Sequence, residues 1–365
     1  MLTHVGTRIR SSTRNNPFYS ILSINLLHKQ TTLNLRHPKT LKMALPPQSK
    51  PKRPTCPSCS KPASLCICTR IRIQGLENSV SVTILQHKLE TNHALNSARI
   101  AKIGFKNITA ATVFDVNFEA RFFIRLLEPG HCSNSGHNGV KSCDSDEVLD
   151  IEGSQKPVFE DVDGVDEEPV ISATIGKYGV INDFGNVWMM EKDLQSPNFD
   201  QILRCRTAVD ELAKGFIVKK IQKRQLSGSM ELEEYEELEL TIPPGSLLLF
   251  PSDKAVGIDG LKALNFEVKN LIVLDGTWSK ANRMYKENPW LKLLPHLRLD
   301  LNKRSLYSEV RQQPKAGCLS TIESIVYALQ AVGDNREPEG LDNLLEVFEL
   351  MVGDQRRCKN ERLSK

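Results

Sequence analysis

Two short apolar runs, each bounded by turn residues, constrain the fold of this 365-residue chain most strongly. They are SLLLFP (Ser246 to Pro251) and NLIVLDGTW (Asn270 to Trp278), and each is too short for a free-standing helix. Continuous apolar character over such a short span is typical of strands buried on both faces, as in parallel sheets. The segments SKANRMYKEN and STIESIVYALQAV follow as helices. The repetition predicts an α/β fold with a mainly parallel sheet and flanking helices.

The preceding part of the chain extends this pattern. VSVTILQ (Val80 to Gln86) and AATVF, from Ala110, are predicted strands, and NSARIAKI (Asn96 to Ile103) is a short amphipathic helix between them. Phe199 to Gln225 carries apolar residues at helical spacing, so we predict one long helix packed on the sheet. The acidic run ELEEYEELEL after it is expected to form a solvated edge.

The first 50 residues differ in composition from the rest. They contain eight Lys or Arg, among them Arg8, Arg10 and Arg14, but no Asp or Glu. Such a leader, which lacks a continuous apolar core, indicates an organellar transit peptide and a mitochondrial or chloroplast location. The alternative is an extension before an internal start at Met43, with a cytoplasmic or nuclear location. No apolar run reaches the roughly 18 residues of a membrane span, so no membrane partner is expected.

A second atypical segment runs from Glu128 to Glu168. It holds twelve acidic residues against Lys141 and Lys156, is rich in Gly, Ser and Asn, and has few large apolar side chains. Burial of so little apolar area cannot offset the entropy lost on ordering the segment. We therefore predict a disordered insertion. The rest of the chain after residue 50 is moderately basic, which is compatible with a polyanionic partner.

Four cysteines lie within the segment CPSCSKPASLCIC, at Cys56, Cys59, Cys66 and Cys68. Two close pairs separated by a short loop allow four thiolates to converge on one tetrahedral zinc ion. Disulfides and free surface thiols are the alternatives. No candidate catalytic His or Glu lies within the segment, so the predicted zinc is structural and staples a small N-terminal knuckle.

The segment LDGTWSKANRMYKENPWL places Asp275 at the end of a buried strand, and Gly276 permits a sharp turn into the helix. Ligands bind beyond the carboxyl ends of parallel strands, where Pro251 and Asp275 are predicted to lie. Thr277 and the first helical amides are candidates for holding a polar ligand. The alternative is that Asp275 or Thr277 only caps the helix and that Trp278 is a core residue.

DGTW and the residues after it resemble the signature of the DTW-domain family, the tRNA-uridine aminocarboxypropyltransferases. Four more segments fall in the family's order: the cysteine knuckle, ILQHKLETNHALNSARIA, LLLFPS and YSEVRQQPKAGCLSTIESIVYAL. The resemblance implies that S-adenosylmethionine donates its 3-amino-3-carboxypropyl group to N3 of a tRNA uridine, releasing methylthioadenosine. It also implies kinship with the knotted SPOUT methyltransferases. We expect a leader over residues 1–50, a zinc knuckle over 51–75, and a DTW (SPOUT-like) catalytic domain over 76–355 that contains the insertion 128–168.

Under this resemblance Asp275 is the candidate catalytic residue, as the base or acceptor for the uridine N3 proton. The candidate donor-binding residues are Phe250, Pro251, Thr277, Trp278, Ser320, Thr321 and Glu323. For Ser320 and Glu323 the alternative is a capping box, S-x-x-E, at the start of a helix.

Further candidates lie beside these segments. His87 and His93 are in the block that the resemblance places by the site, although an isolated His is more often structural. Four basic residues are candidates for phosphate contacts or for a merely solvated helix face: Arg99, Lys280, Arg283 and Lys286. Two other functions stay open: an S-adenosylmethionine-dependent RNA methyltransferase and a non-catalytic zinc-knuckle RNA-binding protein.

Overall fold

The structure is a computed structural model that describes residues 54–127, 171–187, 199–301, 303–310, 317–333 and 337–364. The leader over residues 1–50 and the predicted disordered insertion 128–168 lie outside the described residues. The described chain is an α/β structure with two five-stranded sheets, one parallel and one antiparallel.

The strands are β1 (Ser81–His87), β2 (Ile108–Val113), β3 (Glu119–Leu126), β4 (Ile171–Gly176), β5 (Ile181–Val187), β6 (Phe216–Gln225), β7 (Leu232–Ile242), β8 (Ser246–Leu249), β9 (Asn270–Asp275) and β10 (His296–Leu297). The helices are α1 (Ala98–Gly104), α2 (Phe199–Ile202), α3 (Arg206–Ala213), α4 (Ile258–Ala263), α5 (Trp278–Glu287), α6 (Thr321–Val332) and α7 (Pro338–Leu363).

The parallel sheet has the strand order β10-β8-β9-β1-β2. All four of its pairings are parallel, and the apolar runs SLLLFP and NLIVLDGTW form the neighbouring strands β8 and β9. The register pairs Gln86 at the end of β1 with Asp275 at the end of β9. The prediction of buried parallel strands is therefore confirmed for both runs, and the same holds for the β1–α1–β2 unit.

The antiparallel sheet, β5-β4-β3-β6-β7, is inserted between β2 and β8. The sequence pattern predicts the parallel sheet but not this second, antiparallel one. The single long helix predicted over Phe199 to Gln225 is wrong: this segment forms α2, α3 and then β6. Gly215, with a φ of +102°, ends the helical region, and a Cβ atom there would lie 2.8 Å from the carbonyl oxygen of Ile242. The acidic run lies in β7, an edge strand, as expected.

The cysteine-containing segment packs against α7. The guanidinium of Arg70 lies 2.7 Å from Asp354, and that of Arg72 lies 2.7 Å from Glu346. Ile67 joins the apolar core that the parallel sheet shares with α1, α6 and α7. The segment is thus held to the body of the fold by both charge and apolar packing. Among the described helices, none combines the length and the apolarity needed to cross a membrane.

Candidate active site

Asp275 is the central side chain of the candidate site. It ends β9, and only 6% of its surface is exposed. The hydroxyl of Thr321, at the first position of α6, donates a hydrogen bond of 2.6 Å to Asp275 Oδ1. The amide of Gln86, at the end of β1, donates another of 2.6 Å to Asp275 Oδ2. Both carboxylate oxygens are therefore held in fixed positions by residues from two other elements.

The surroundings of Asp275 act in opposite directions on its proton affinity. Burial raises the pKa of Asp275 above its usual range, while the hydrogen bonds from Gln86 and Thr321 lower it. The ammonium of Lys102 donates a hydrogen bond of 2.9 Å to Gln86 Oε1, which directs the Gln86 amide toward Asp275. A carboxyl with a raised pKa is a better proton acceptor than an ordinary aspartate.

The helix caps near the site belong to other residues. Thr277 is the N-cap of α5, and its hydroxyl accepts a hydrogen bond of 3.3 Å from the Lys280 N–H. Asp275 does not fill that role, because its oxygens bind Gln86 and Thr321 instead. Because Thr277 caps α5, the Asp275 carboxylate is not used as a cap and can form part of the wall of a cavity.

Ser320 and Glu323 form the capping box of α6, the alternative that the sequence left open. The Ser320 N–H donates to Glu323 Oε2 over 2.7 Å, and Ser320 Oγ accepts from the Glu323 N–H over 3.3 Å. Glu323 also accepts hydrogen bonds from the Ser305 hydroxyl and the Leu306 N–H. This buried carboxylate fixes the start of α6.

Two cavities adjoin the DGTW turn, with volumes of about 410 Å³ and about 460 Å³. We call the first the Asp275 cavity, because Asp275 is in its wall together with Glu90, Asn96, Ser97, Thr277 and Ser320. The second, the strand-end cavity, lies beyond the ends of β8, β9 and β10 and is lined by Phe250, Pro251, Leu297 and Leu299. Both share the walls Gly276, Trp278, Cys318, Leu319 and Thr321.

The predicted donor-binding residues thus separate into three groups. Phe250 and Pro251 line the strand-end cavity, and the Phe250 ring stacks on Tyr285 with 4.4 Å between centroids. Thr277 and Ser320 line the Asp275 cavity. Trp278 and Thr321 line both, and Glu323 lines neither. Most of the predicted residues are therefore brought together around one turn.

The two histidines make local contacts. His87 is buried; its Nδ1 accepts from the Leu89 N–H over 3.2 Å, and its Nε2 lies 3.2 Å from Asp115. His93 Nδ1 accepts from the Leu95 N–H over 3.2 Å. Neither lines the two cavities.

Sequence reasoning missed Gln86, Lys102 and the Cys318–Leu319 wall. Gln86 had a detectable signal: it is a lone amide at the carboxyl end of an apolar strand, and adjacent parallel strands end at the same edge of a sheet. Cys318 and Leu319 precede α6 in an irregular segment, and no local pattern marks them as lining residues.

The four predicted cysteine ligands converge. The Sγ atoms of Cys56, Cys59, Cys66 and Cys68 all lie within 4.8 Å of one another, and two of the separations are 3.8 Å and 3.7 Å. Tetrahedral zinc with Zn–S bonds of about 2.3 Å places its sulfur ligands about 3.8 Å apart. The cluster can therefore hold a metal ion of this kind without rearrangement.

The thiol surroundings favour ligation at one cysteine in particular. Burial raises the pKa of the Cys59 thiol, but hydrogen bonds with the backbone at Ile67 and Lys61 and with the side chains of Cys56 and Cys66 together lower that pKa to about 6. Because the thiolate is the ligating form, Cys59 is prepared to bind a metal near neutral pH.

The fold and the site define an α/β protein with paired cavities at the carboxyl edge of a parallel sheet and a four-cysteine centre suited to a metal. The sequence model of the DTW domain matches residues 53–130 and 204–356, more than half of the chain, so the chain belongs to the DTW domain family. The family assignment made from the motifs is confirmed. No solved structure matches the chain significantly.

Curated relatives extend the comparison. The chain is 32% identical over 127 residues to tRNA-uridine aminocarboxypropyltransferase 2 of Macaca fascicularis, covering 33% of this chain and 42% of that protein. It is 33% identical over 94 residues to the protein of the same name from Drosophila melanogaster, covering 26% and 37%. The match to the Mus musculus protein of that name is 32% over 125 residues, covering 33% and 41%. The chain therefore spans about two fifths of the length of these relatives.

Proposed function

We propose that this protein transfers the 3-amino-3-carboxypropyl group of S-adenosylmethionine to N3 of a uridine in tRNA. The names of the curated relatives support this activity, and membership of the DTW domain family agrees with it. The observation that carries the proposal is the position of Asp275, a buried carboxylate in the wall of one cavity, next to the walls that this cavity shares with a second. A transferase needs room for a donor and an acceptor whose reacting atoms meet.

The proposed reaction assigns one role to each cavity. The uridine base enters the Asp275 cavity, and the Asp275 carboxylate accepts the N3 proton. The N3 electron pair then attacks the methionine γ-carbon of the donor, and the bond between that carbon and the sulfonium sulfur breaks. The sulfur leaves with the bonding electrons as methylthioadenosine, and Asp275 later releases its proton to water. General-base assistance of this kind is worth roughly 10²–10⁴-fold in rate.

The strand-end cavity suits the donor. Phe250, Leu297 and Leu299 offer apolar contact for an adenine ring, and the cavity lies where ligands bind in parallel sheets. Trp278 and Thr321, which line both cavities, are placed to align the donor carbon with the acceptor. The capping box of Ser320 and Glu323 fixes the start of α6, and the positive end of that helix dipole favours the donor carboxylate.

Four related assignments belong to the same proposal. The cysteine cluster holds a structural zinc ion, and the catalytic domain spans residues 76–355 after a knuckle at 51–75. The domain is a relative of the knotted SPOUT methyltransferases. The leader over residues 1–50 directs the protein to an organelle, with the cytoplasm or nucleus as the alternative.

Nucleoside mass spectrometry tests the proposal. Purified protein is incubated with bulk tRNA and S-adenosylmethionine, the tRNA is digested, and both the nucleosides and the small-molecule by-product are identified. We expect a uridine that carries the aminocarboxypropyl group, together with an equal amount of methylthioadenosine. Methylated nucleoside with S-adenosylhomocysteine would instead identify a methyltransferase, and RNA binding without any by-product would indicate a binding protein.

A further inference from the structure

We propose that the outer face of α5 and the turn between β4 and β5 form a docking surface for single-stranded RNA next to the modified uridine. We call this surface the docking stripe and define it by Trp278, Asn282, Lys286, Tyr178 and Lys177. The inference rests on the proposed function, since it supplies the segment of RNA that continues from the uridine in the Asp275 cavity. It extends the site to the turn that carries Lys177 and Tyr178, which the family match does not cover.

The stripe starts at the active site. Trp278 is 36% exposed and lines both cavities, and helical geometry places Asn282 and Lys286 on its side of α5. Asn282 and Lys286 are exposed, whereas Ala281 and Met284 are buried. With a rise of about 1.5 Å per residue, the stripe extends about 12 Å from Trp278 to Lys286. That length accommodates roughly three to four stacked nucleotides at about 3.4 Å each.

Tyr178 supplies an aromatic surface at the far end of the stripe. Its side chain is 62% exposed, and it adopts a left-handed backbone conformation, with a φ of +63°, which is unusual for a non-glycine residue. The Tyr178 N–H donates a hydrogen bond of 2.8 Å to the buried Glu287 at the end of α5. The fold therefore fixes this turn against α5 and yet leaves the ring facing solvent, an arrangement that apolar burial does not explain.

The charged groups near the Tyr178 ring are of two kinds: one pairs with carboxylates of the protein, and the others do not. The Arg283 guanidinium lies 5.0 Å from the Tyr178 ring centroid and pairs with Asp115 and Glu287 at 2.9 Å and 2.8 Å, so its charge is used within the protein. Lys177 lies 5.3 Å from the same centroid. Within the described part of the chain, neither Lys177 nor Lys286 pairs with a carboxylate. These two ammonium groups are thus available to phosphates.

This combination fits single-stranded RNA better than a duplex or a protein partner. Exposed aromatic rings stack on unpaired bases, and neighbouring cations contact the backbone. The turn that carries Tyr178 lies in residues 131–203, which the DTW domain match omits, so this end of the stripe is particular to the inserted segment. A base stacked on Tyr178 would sit a few nucleotides from the target uridine.

Affinity measurements on the full-length protein test the stripe. The probes are bulk tRNA and a single-stranded oligouridylate, each titrated at several salt concentrations. Tyr178→Ala should weaken binding of both by about 5- to 150-fold, the usual loss when one stacking platform is removed. Tyr178→Phe should bind normally. Lys286→Ala should weaken binding and reduce the slope of log affinity against log salt by about one.

The chain offers matched controls. Tyr235 also carries an arginine over its ring, Arg224 at 5.2 Å, but it lies among the glutamates of β7. Lys262 is an exposed lysine in the last turn of α4, outside the stripe, and serves as the control for Lys286. Tyr235→Ala and Lys262→Ala should therefore leave RNA affinity unchanged. If the left-handed backbone destabilises Tyr178→Ala, Tyr178→Asn removes the ring with a residue that tolerates this conformation.

The outcomes separate the two proposals. Wild-type affinity of the Tyr178→Ala and Tyr178→Asn proteins for both probes would overturn the docking stripe, even if the wild-type enzyme forms the modified nucleoside. Loss of RNA affinity in these variants supports the docking stripe. This holds even if the wild-type protein binds RNA but forms no modified nucleoside, a result that would refute only the proposed activity. If duplex RNA competes as well as oligouridylate, or if a protein and not RNA occupies the stripe, the proposal is wrong.

Discussion

Replacement of Asp275 by Asn tests the proposed proton transfer most directly. Asn has nearly the same shape, and its oxygen can still accept the hydrogen bond from Gln86, which is 2.6 Å long in the structure. Its amide group can donate to the Thr321 hydroxyl, which now donates to Asp275 over 2.6 Å. The substitution therefore preserves both contacts and removes only the charge and the proton affinity.

Stability and activity should respond in opposite ways. Burial raises the pKa of folded Asp275 above its unfolded value, so its ionised form costs stability once the pH exceeds the unfolded pKa. Asp275→Asn should consequently melt at the wild-type temperature or slightly above it at neutral pH. Turnover should fall by roughly 10²–10⁴-fold, equivalent to about 2.7–5.4 kcal/mol of transition-state stabilisation.

The assay is single-turnover formation of modified uridine with saturating donor, together with calorimetry of S-adenosylmethionine binding. Donor affinity should stay close to that of the wild type, because Asp275 lines the Asp275 cavity, proposed for the uridine, and not the strand-end cavity. The rate deficit should shrink as the pH rises, since uridine N3 then loses its proton without assistance. An Asp275→Asn enzyme that turns over at nearly the wild-type rate would falsify the assignment of Asp275 as the base.

Three further predictions concern the surrounding structure. Gln86→Leu removes a hydrogen bond that lowers the pKa of Asp275, so the acidic limb of the pH profile of kcat/KM should move to higher pH; an unmoved limb contradicts this coupling. Cys66→Ser should release zinc, measured by metal analysis under reducing conditions, and lower the melting temperature more than the turnover of the protein that remains folded. Deletion of 128–168 should change the melting temperature little, because the composition predicts little packing and the Ile124–Ile171 pair of β3 and β4 remains within reach of a short loop; a large decrease in calorimetry would indicate an ordered subdomain.

Local patterns were sufficient for the parallel sheet and for the turn that carries the site. β8 and β9 are short apolar runs bounded by turn residues, and their buried side chains leave little choice of structure. The DGTW segment places a carboxylate at a strand end, where such sheets bind ligands. The four-cysteine spacing likewise predicts convergence on one metal ion, and the sulfur separations in the structure agree with it.

The antiparallel sheet was not predicted because β6 lacks the usual strand alternation of apolar and polar side chains along its whole length. Its inward positions are Phe216 and Val218 but then Lys220 and Gln222, both of which are buried, so the apolar pattern stops halfway along the strand. The Lys220 ammonium is compensated by Glu237 on β7, 3.1 Å away. Such a buried pair depends on a strand that lies 17 residues further along the chain, and no local periodicity can reveal it. The helical spacing before Gly215 therefore appeared to continue.

Contacts between residues far apart in sequence also explain why the proton affinity of the candidate base cannot be predicted from the DGTW segment alone. Burial alone disfavours the ionised form of Asp275, and a protonated acid cannot accept the uridine proton. Its ionised form depends on hydrogen bonds from Gln86 and Thr321, which lie 189 and 46 residues away in sequence and on opposite sides of the inserted sheet in chain order. Lys102 in turn orients Gln86. The proposed proton-accepting unit is therefore an assembly of β1, α1, β9 and α6, so loss of the Gln86 or Thr321 donor should alter the pH dependence of the reaction even though Asp275 itself is intact.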